Sequence, residues 1–254
     1  MDLELANKVG IVTGASQGIG AGITRQLAGE GCRLVLAARS AENLAKRVTE
    51  AKDLGGKAIA YPADLRQPAV PAGVVAAALA EFGQLDFIVG SAGAPQLGDF
   101  LELGDDVWQD SFDLKFFGHL RLIRAAWPAL SASRGTVVLI SGLSGRSPTP
   151  ESLVGGAVNG ALHNLTKGLA IKGIKDGVRV NAINPGTIRT GRHDARIARL
   201  AEETGKSPAD IERDMVEKGG ITRIGEPADI AALVGLILSP RGSLLSGSII
   251  DMDG

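Results

Sequence analysis

Residues 8–20 run Lys-Val-Gly-Ile-Val-Thr-Gly-Ala-Ser-Gln-Gly-Ile-Gly, an apolar stretch leading into a turn with glycines at Gly14, Gly18 and Gly20. Glycine at this spacing lets the backbone approach a pyrophosphate that a Cβ would hold off. A helix opening there aims unpaired N–H groups and its positive dipole end at the anion. Ser16, Gln17 and Ile19 complete the turn. Three glycines alone also suit a tight structural turn. Here they stand between an expected strand and an expected helix with a βαβ pattern behind them, which is the context dinucleotide binding requires.

Two further positions have chemistry to offer a nucleotide. An acid ending the second strand would grip a ribose 2′-hydroxyl, but this chain has Ala37-Ala38-Arg39. A guanidinium there suits a 2′-phosphate, which favours NADP(H) over NAD(H), the alternative being a solvated loop charge. Asp64 suits a hydrogen bond from an adenine amino group and equally a cap on the next helix.

These groups must be carried by strands and helices in alternation. Short apolar runs at Val9–Val12, Arg33–Ala38, Lys57–Tyr61, Leu85–Val89, Thr136–Ile140, Val178–Ile183 and Ser248–Asp251 read as strands. Helical spacing lies between them, including two long stretches at Asp105–Leu130 and Leu153–Asp176. The expected fold is α/β: residues 1–254 as one doubly wound Rossmann-type domain, a parallel sheet flanked by helices on both faces. In such a sheet the ligand lies outside the carboxyl ends of the strands. The turns that line it are Gly14–Gly20, Arg39, Asp64-Leu65, Gly90–Gly93, Ser141–Gly145 and Pro185–Thr190, with residues 187–222 as a polar, helical lid.

Composition agrees with that frame and excludes others. Among 254 residues, 44% are hydrophobic and only 4% aromatic, a core of Ala, Val, Leu and Ile as in sheets covered by helices. A net charge of −1 lacks the basic field that nucleic acid demands. No run is long enough to span a bilayer and no targeting segment is apparent, so a cytoplasmic protein without a membrane partner is expected. The single cysteine, Cys32, reads as a small buried hydrophobe, and no Cys/His cluster has metal-ligand spacing.

The chain resembles the short-chain dehydrogenase/reductase family over nearly its whole length. The resemblance rests on Thr13-Gly14-x-x-x-Gly18-x-Gly20, Ser91-Ala92-Gly93, Arg179-Val180-Asn181-x-Ile183-x-Pro185-Gly186 and Asp251-x-Asp253-Gly254. It implies a nicotinamide cofactor held by Gly14, Ser16, Gln17, Ile19, Arg39, Asp64, Leu65, Gly90, Ile188 and Thr190. It also implies a homo-oligomer, a tetramer, and the long helices carry apolar residues on more than one face. The family's acid/base machinery is a tyrosine, a lysine on the same helix face, a serine, and an asparagine on the preceding helix. Aligned on Leu165-Thr166-Lys167, these positions hold Gly155, Asn159, Gly142 and Lys115. Tyr61 is the one tyrosine in the chain, and it falls on the third strand.

Three side chains are the candidates to replace that machinery. Lys115 has a stem long enough to reach the space at Gly155 and Asn159, where desolvation would depress its pKa. Its alternative is to snorkel to solvent or pair with Asp113. Ser144 offers a hydroxyl on the side of Gly142, or is merely a turn serine. Asn159 suits a hydrogen bond to the nicotinamide ribose. Gly142, Gly155 and Asn159 together predict a roomier, less polar pocket. His163 reads as a packing position, and His119 follows Lys115 by four residues. Arg189, Arg192, Arg196 and Arg199 stripe the lid and suit an anionic small-molecule substrate, or are a solvated face. The function expected is hydride transfer to or from a carbonyl or activated C=C. The alternatives are a non-redox lyase or isomerase on the same fold, and a cofactor-binding sensor or inactive partner subunit.

Overall fold

A computed structural model describes residues 2–93 and 96–254. The strands are β1 (Val9–Thr13), β2 (Arg33–Ala38), β3 (Lys57–Pro62), β4 (Phe87–Gly90), β5 (Thr136–Ile140), β6 (Arg179–Pro185) and β7 (Ile249–Met252). They form one parallel sheet in the order β3-β2-β1-β4-β5-β6-β7. Strand order therefore reverses between β1 and β4, which opens a crevice at their carboxyl ends.

The period of two along each strand sorts the core into two layers. Val12, Leu34, Leu36, Phe87, Val89, Val138, Ile140 and Ile183 pack with residues of α1 (Gly18–Gly29), α2 (Ala41–Asp53) and α9 (Pro227–Leu238). The alternate residues Ile11, Val35, Ala37, Ile88, Val137, Leu139, Val180 and Ala182 pack on the other side. There they meet α3 (Val70–Phe82), α5 (Gly118–Ser133) and α6 (Leu153–Asp176). Gly10 pairs with Phe87 across the sheet, and a Cβ there would fall 1.8 Å from the Phe87 ring. Pro62 is tolerated because β3 is an edge strand. Cys32 is buried with its thiol pushed up to about 12 by burial, the inert packing residue expected.

The helix expected over Asp105–Leu130 is interrupted. It forms as α4 (Asp105–Ser111), a π turn at Phe112–Phe117, and then α5. The extra residue in this turn is held by tertiary bonds to Lys115 and His119, which helical spacing in a sequence does not display. Residues 187–222, the expected lid, hold α7 (Gly191–Thr204) and α8 (Pro208–Gly219). Among the described residues, no helix is long and apolar enough to cross a membrane.

Candidate functional site

The β1–α1 turn is tight because its glycines leave no space for side chains. Gly14 has φ +64°, and a Cβ on it would lie 2.7 Å from Ser91 O; one on Gly20 would lie 2.2 Å from Gly14 O. Gln17 at the N-cap makes no side-chain cap, and the first turn of α1 carries no acid. Among the described residues, the N–H groups of Gly18, Ile19 and Gly20 meet no protein acceptor. Gly18 has φ +56° and lies beneath Thr190, with a Cβ position 3.3 Å from Thr190 Cγ2. Thr190 caps α7 by accepting His193 N–H, so the N-termini of α1 and α7 meet at this turn. An uncapped helix start without acids, over a turn that only glycine fits, suits a dinucleotide diphosphate. The residues present fit that group.

The rest of the expected nucleotide groove lines up along the strand ends. Arg39 is exposed just beyond β2 and makes no hydrogen bond or ion pair among the described residues. Asp64 accepts Arg66 N–H at 3.1 Å and pairs with the Arg66 guanidinium, while α3 begins at Val70 after an Ala69 N-cap. Asp64 therefore caps its own turn, and the helix-cap alternative is excluded. Arg66 also binds Asp110 and holds that carboxyl below the usual range. Leu65 is buried, with its Cβ 3.1 Å from the Cβ position of Gly118. Gly90 ends β4, where a Cβ would meet His119 at 2.9 Å. Pro185 ends β6, Gly186 abuts Asp253, and Ile188 bridges to Gly225.

Lys115 turns inward from the π turn. Its Nζ donates to Ser141 O at 2.9 Å and to Asn159 Oδ1 at 2.7 Å. It does not pair with Asp113, which lies instead near Gln109 and Arg121. Burial, and next the nearby Arg192 charge, lower the Lys115 pKa to about 8. Because an ammonium only donates, Asn159 must face it with its oxygen, and Asn159 Nδ2 then donates to Ser144 Oγ at 3.0 Å. Ser144 so accepts a hydrogen bond and keeps its own O–H free. The three expected residues form one chain, Lys115–Asn159–Ser144.

The roomier, less polar pocket is corrected in part. A Cβ on Gly142 would fall 2.7 Å from Asn159 Nδ2, so the asparagine amide fills that space. At Gly155, among the described residues and apart from its own helix backbone, a Cβ would meet only Ser144 Oγ, at 3.7 Å, so this position is open and faces a hydroxyl. An ammonium and a hydroxyl stand where Gly142, Gly155 and Asn159 predicted a less polar pocket.

Supports behind this chain were missed in the sequence. His119 is buried, and burial pushes its pKa down to about 4. Its Nδ1–H donates to Lys115 O at 2.6 Å, and Thr13 Oγ1 donates to Nε2 across 3.0 Å. Thr13 in turn accepts the N–H groups of Ser91 and Ala92. The glycine turn, the β4 exit and the π turn are thereby bonded together. His163 belongs to a polar network instead of an apolar packing face: its Nε2 meets Asn184 Oδ1 at 2.8 Å. Asn184 also accepts Gly142 N–H and donates to Asp251, which pairs with Arg146. A histidine four residues beyond Lys115 was the one signal of this support visible in the sequence.

The lid arginines do not act together. Arg189 is committed to Glu212 and Glu226, so it is not available for an anion. Those bonds, Arg189 first and His193 next, lower Glu212 to about 2. Arg199 lies 3.6 Å from Glu203, and Arg196 is exposed. Only Arg192 reaches toward the site, donating to Gly93 O at 3.3 Å. No group of three or more possible metal ligands occurs among the described residues.

Residues 14–254 match the family model described as enoyl-(acyl carrier protein) reductase. The chain is 32% identical over 253 residues to the oxidoreductase UcpA of Escherichia coli K12, covering 99% of this chain and 95% of that one. It is 31% identical over 255 residues to a probable tetrahydroxynaphthalene reductase of Zymoseptoria tritici, with 99% and 95% covered. Among solved structures it is similar to L-sorbose reductase of Gluconobacter frateurii complexed with NADPH and L-sorbose. There the TM-score is 0.96 at 28% identity, over 100% of this chain and 98% of that one. It is also similar to a 7α-hydroxysteroid dehydrogenase complexed with NADH and 7-oxo glycochenodeoxycholic acid, at TM-score 0.90 and 26% identity, with 100% and 95% covered.

Proposed function

The chain belongs to the short-chain dehydrogenase/reductase family and is an NAD(P)-dependent oxidoreductase, and we propose that it works with Lys115, Asn159 and Ser144 in place of the family's tyrosine–lysine pair. The observation that carries this reading is the bonding of Lys115 Nζ to Asn159 Oδ1 at 2.7 Å, with Asn159 Nδ2 passing on to Ser144 Oγ at 3.0 Å. In the resemblance, Lys115 stands at an asparagine position and Asn159 at a lysine position. The ammonium is kept, but it enters from the other helix.

The substrate is a small molecule bearing a carbonyl, or a C=C conjugated to one. The nicotinamide cofactor, when bound in reduced form, supplies the hydrogen and electron pair that reach substrate carbon. Ser144 donates its free O–H to the substrate oxygen. Lys115 has three N–H groups, two of them used by Ser141 O and Asn159 Oδ1. The third gives its proton to the oxygen that gains the electron pair, directly or through Ser144, and solvent reprotonates the amine. In the oxidative direction neutral Lys115 takes that proton. A pKa of about 8 places both forms within reach near neutrality.

NADP(H) is the preferred cofactor in this reading, because Arg39 stands free beyond β2 with Ala37 and Ala38 before it. A homotetramer is also proposed, supported by Ile171 and Ile174, which are 71% and 78% exposed on α6. A monomeric mass by light scattering would contradict it. The experiment for the proposed function is reduced-nicotinamide absorbance with a carbonyl and enone panel. Turnover should fall about 10²–10⁴-fold in Lys115→Met, the usual worth of general acid–base help. Lys115→Arg keeps the charge but does not titrate near neutrality, so it gives up no proton and should fall nearly as far. Full turnover in both variants would overturn the assignment.

A further inference from the structure

Gly93, at the exit from β4, is the meeting point of two cations. Its carbonyl accepts Arg192 Nη2 at 3.3 Å, and its Cα faces the Lys115 stem, where a Cβ would lie 3.1 Å from Cδ and 3.3 Å from Cε. Neither cation has a counter-ion. Among the described residues neither forms an ion pair, and the two residues that follow Gly93 are Ala94 and Pro95, which carry no charge. Two of the other arginines on this stripe are paired: Arg189 is held by two glutamates, and Arg199 faces Glu203, while Arg196 is exposed. Like charges brought together beside a cleft repel, and an oxyanion between them removes that repulsion while forming charge-assisted hydrogen bonds.

We propose that the substrate carries an oxyanion, a carboxylate or a phosphate, which Arg192 binds while the carbonyl faces Lys115 and Ser144. This rests on the proposed function and adds its substrate class. Arg192 lies at the start of α7, two residues beyond the Thr190 cap, so the first turn of this helix carries it toward the β4 exit. Among the described residues its one hydrogen bond is to the Gly93 carbonyl, which a ligand replaces without stranding a fully buried acceptor, since Gly93 is only half-buried.

The test uses calorimetry on the protein saturated with NADP⁺, which holds the cofactor without turnover. The probes are straight-chain 2-oxo and 3-oxo acids of about four to six carbons, their methyl esters, and dihydroxyacetone phosphate beside dihydroxyacetone. An acid or the phosphate should bind at least about tenfold more tightly than its neutral counterpart. That preference should vanish in Arg192→Met and partly return in Arg192→Lys, as expected for one charged hydrogen bond. Which anion binds tells carboxylate from phosphate. No tighter binding of any acid or of the phosphate than of its neutral counterpart, no binding of any anion, or an Arg192→Met loss confined to NADP⁺ affinity would each overturn the proposal. The last result would give Arg192 to the cofactor diphosphate. Anion binding without NADPH oxidation would instead keep the substrate class and break the proposed function.

Discussion

The two halves of the site use the chain differently. Around β1 and α1 the work is done by backbone: a turn with no space for Cβ atoms at Gly14 and Gly20, and an uncapped helix start. Around β5, the π turn and α6 the proposed chemistry falls to side-chain ends that converge from three elements. Backbone function is tied to its sequence position, because φ +64° at Gly14 is open to glycine and to little else. Side-chain function is tied only to a point in space, and a long side chain reaches that point from a different helix. Lys115 does so, and Asn159 fills the space beside Gly142 that opens in exchange.

If the halves are separable in this way, the largest expected effect is also the most one-sided. Lys115→Met should lose the turnover described above while its NADPH dissociation constant stays within about twofold of the parent, read by fluorescence titration. A parallel loss of cofactor affinity would break the separation. The converse variant is Arg39→Ala, which should weaken NADPH about ten- to a hundredfold and leave NADH unchanged, the worth of one charge-assisted contact to phosphate. Equal effects on the two cofactors would remove Arg39 from the 2′-phosphate site. Within the second half, Gly142→Ser should displace the Asn159 amide, since its Cβ position lies 2.7 Å from Nδ2. Turnover should drop about tenfold or more, and Gly155→Ala, with open space, should cost little.

The smallest effect is on stability. Lys115 is held at about 8 in the folded protein and returns to its ordinary 10.5 on unfolding, so between these values the unfolded chain binds more protons. Stability from this residue therefore rises as pH increases from about 8 to 10.5, and it is constant below. Denaturant titrations of the parent and Lys115→Met should converge or diverge only in that window. A difference independent of pH would mean that Lys115 is not desolvated.

Much of the molecule was legible because its signals are local. The strand runs placed Arg33–Ala38 and Thr136–Ile140 as they occur, and Leu153–Asp176 forms the expected helix. Lys115, Ser144 and Asn159 were singled out because they stand at or beside the positions that the family resemblance gives to its asparagine, serine and lysine. Their bonding was not legible, because Asn159 orients only once an ammonium faces its oxygen. The π turn was hidden for a related reason. It is stabilised by His119 reaching back to Lys115 O and across to Thr13, a contact over 106 residues that helical spacing does not encode. The Arg189–Glu212 pair was equally invisible, as it depends on how α8 folds against the residues before α7.

The central claim is that the Lys115 ammonium supplies the proton. It is tested most directly by the pH dependence of kcat/KM for carbonyl reduction with saturating NADPH, in the parent and in Lys115→Met. Reduction needs the protonated amine, so the parent profile should be flat below and fall tenfold per pH unit above an apparent pKa of about 8. Lys115→Met should show a low, flat line through the same range. A limb near pH 8 that survives in Lys115→Met would show that another group delivers the proton.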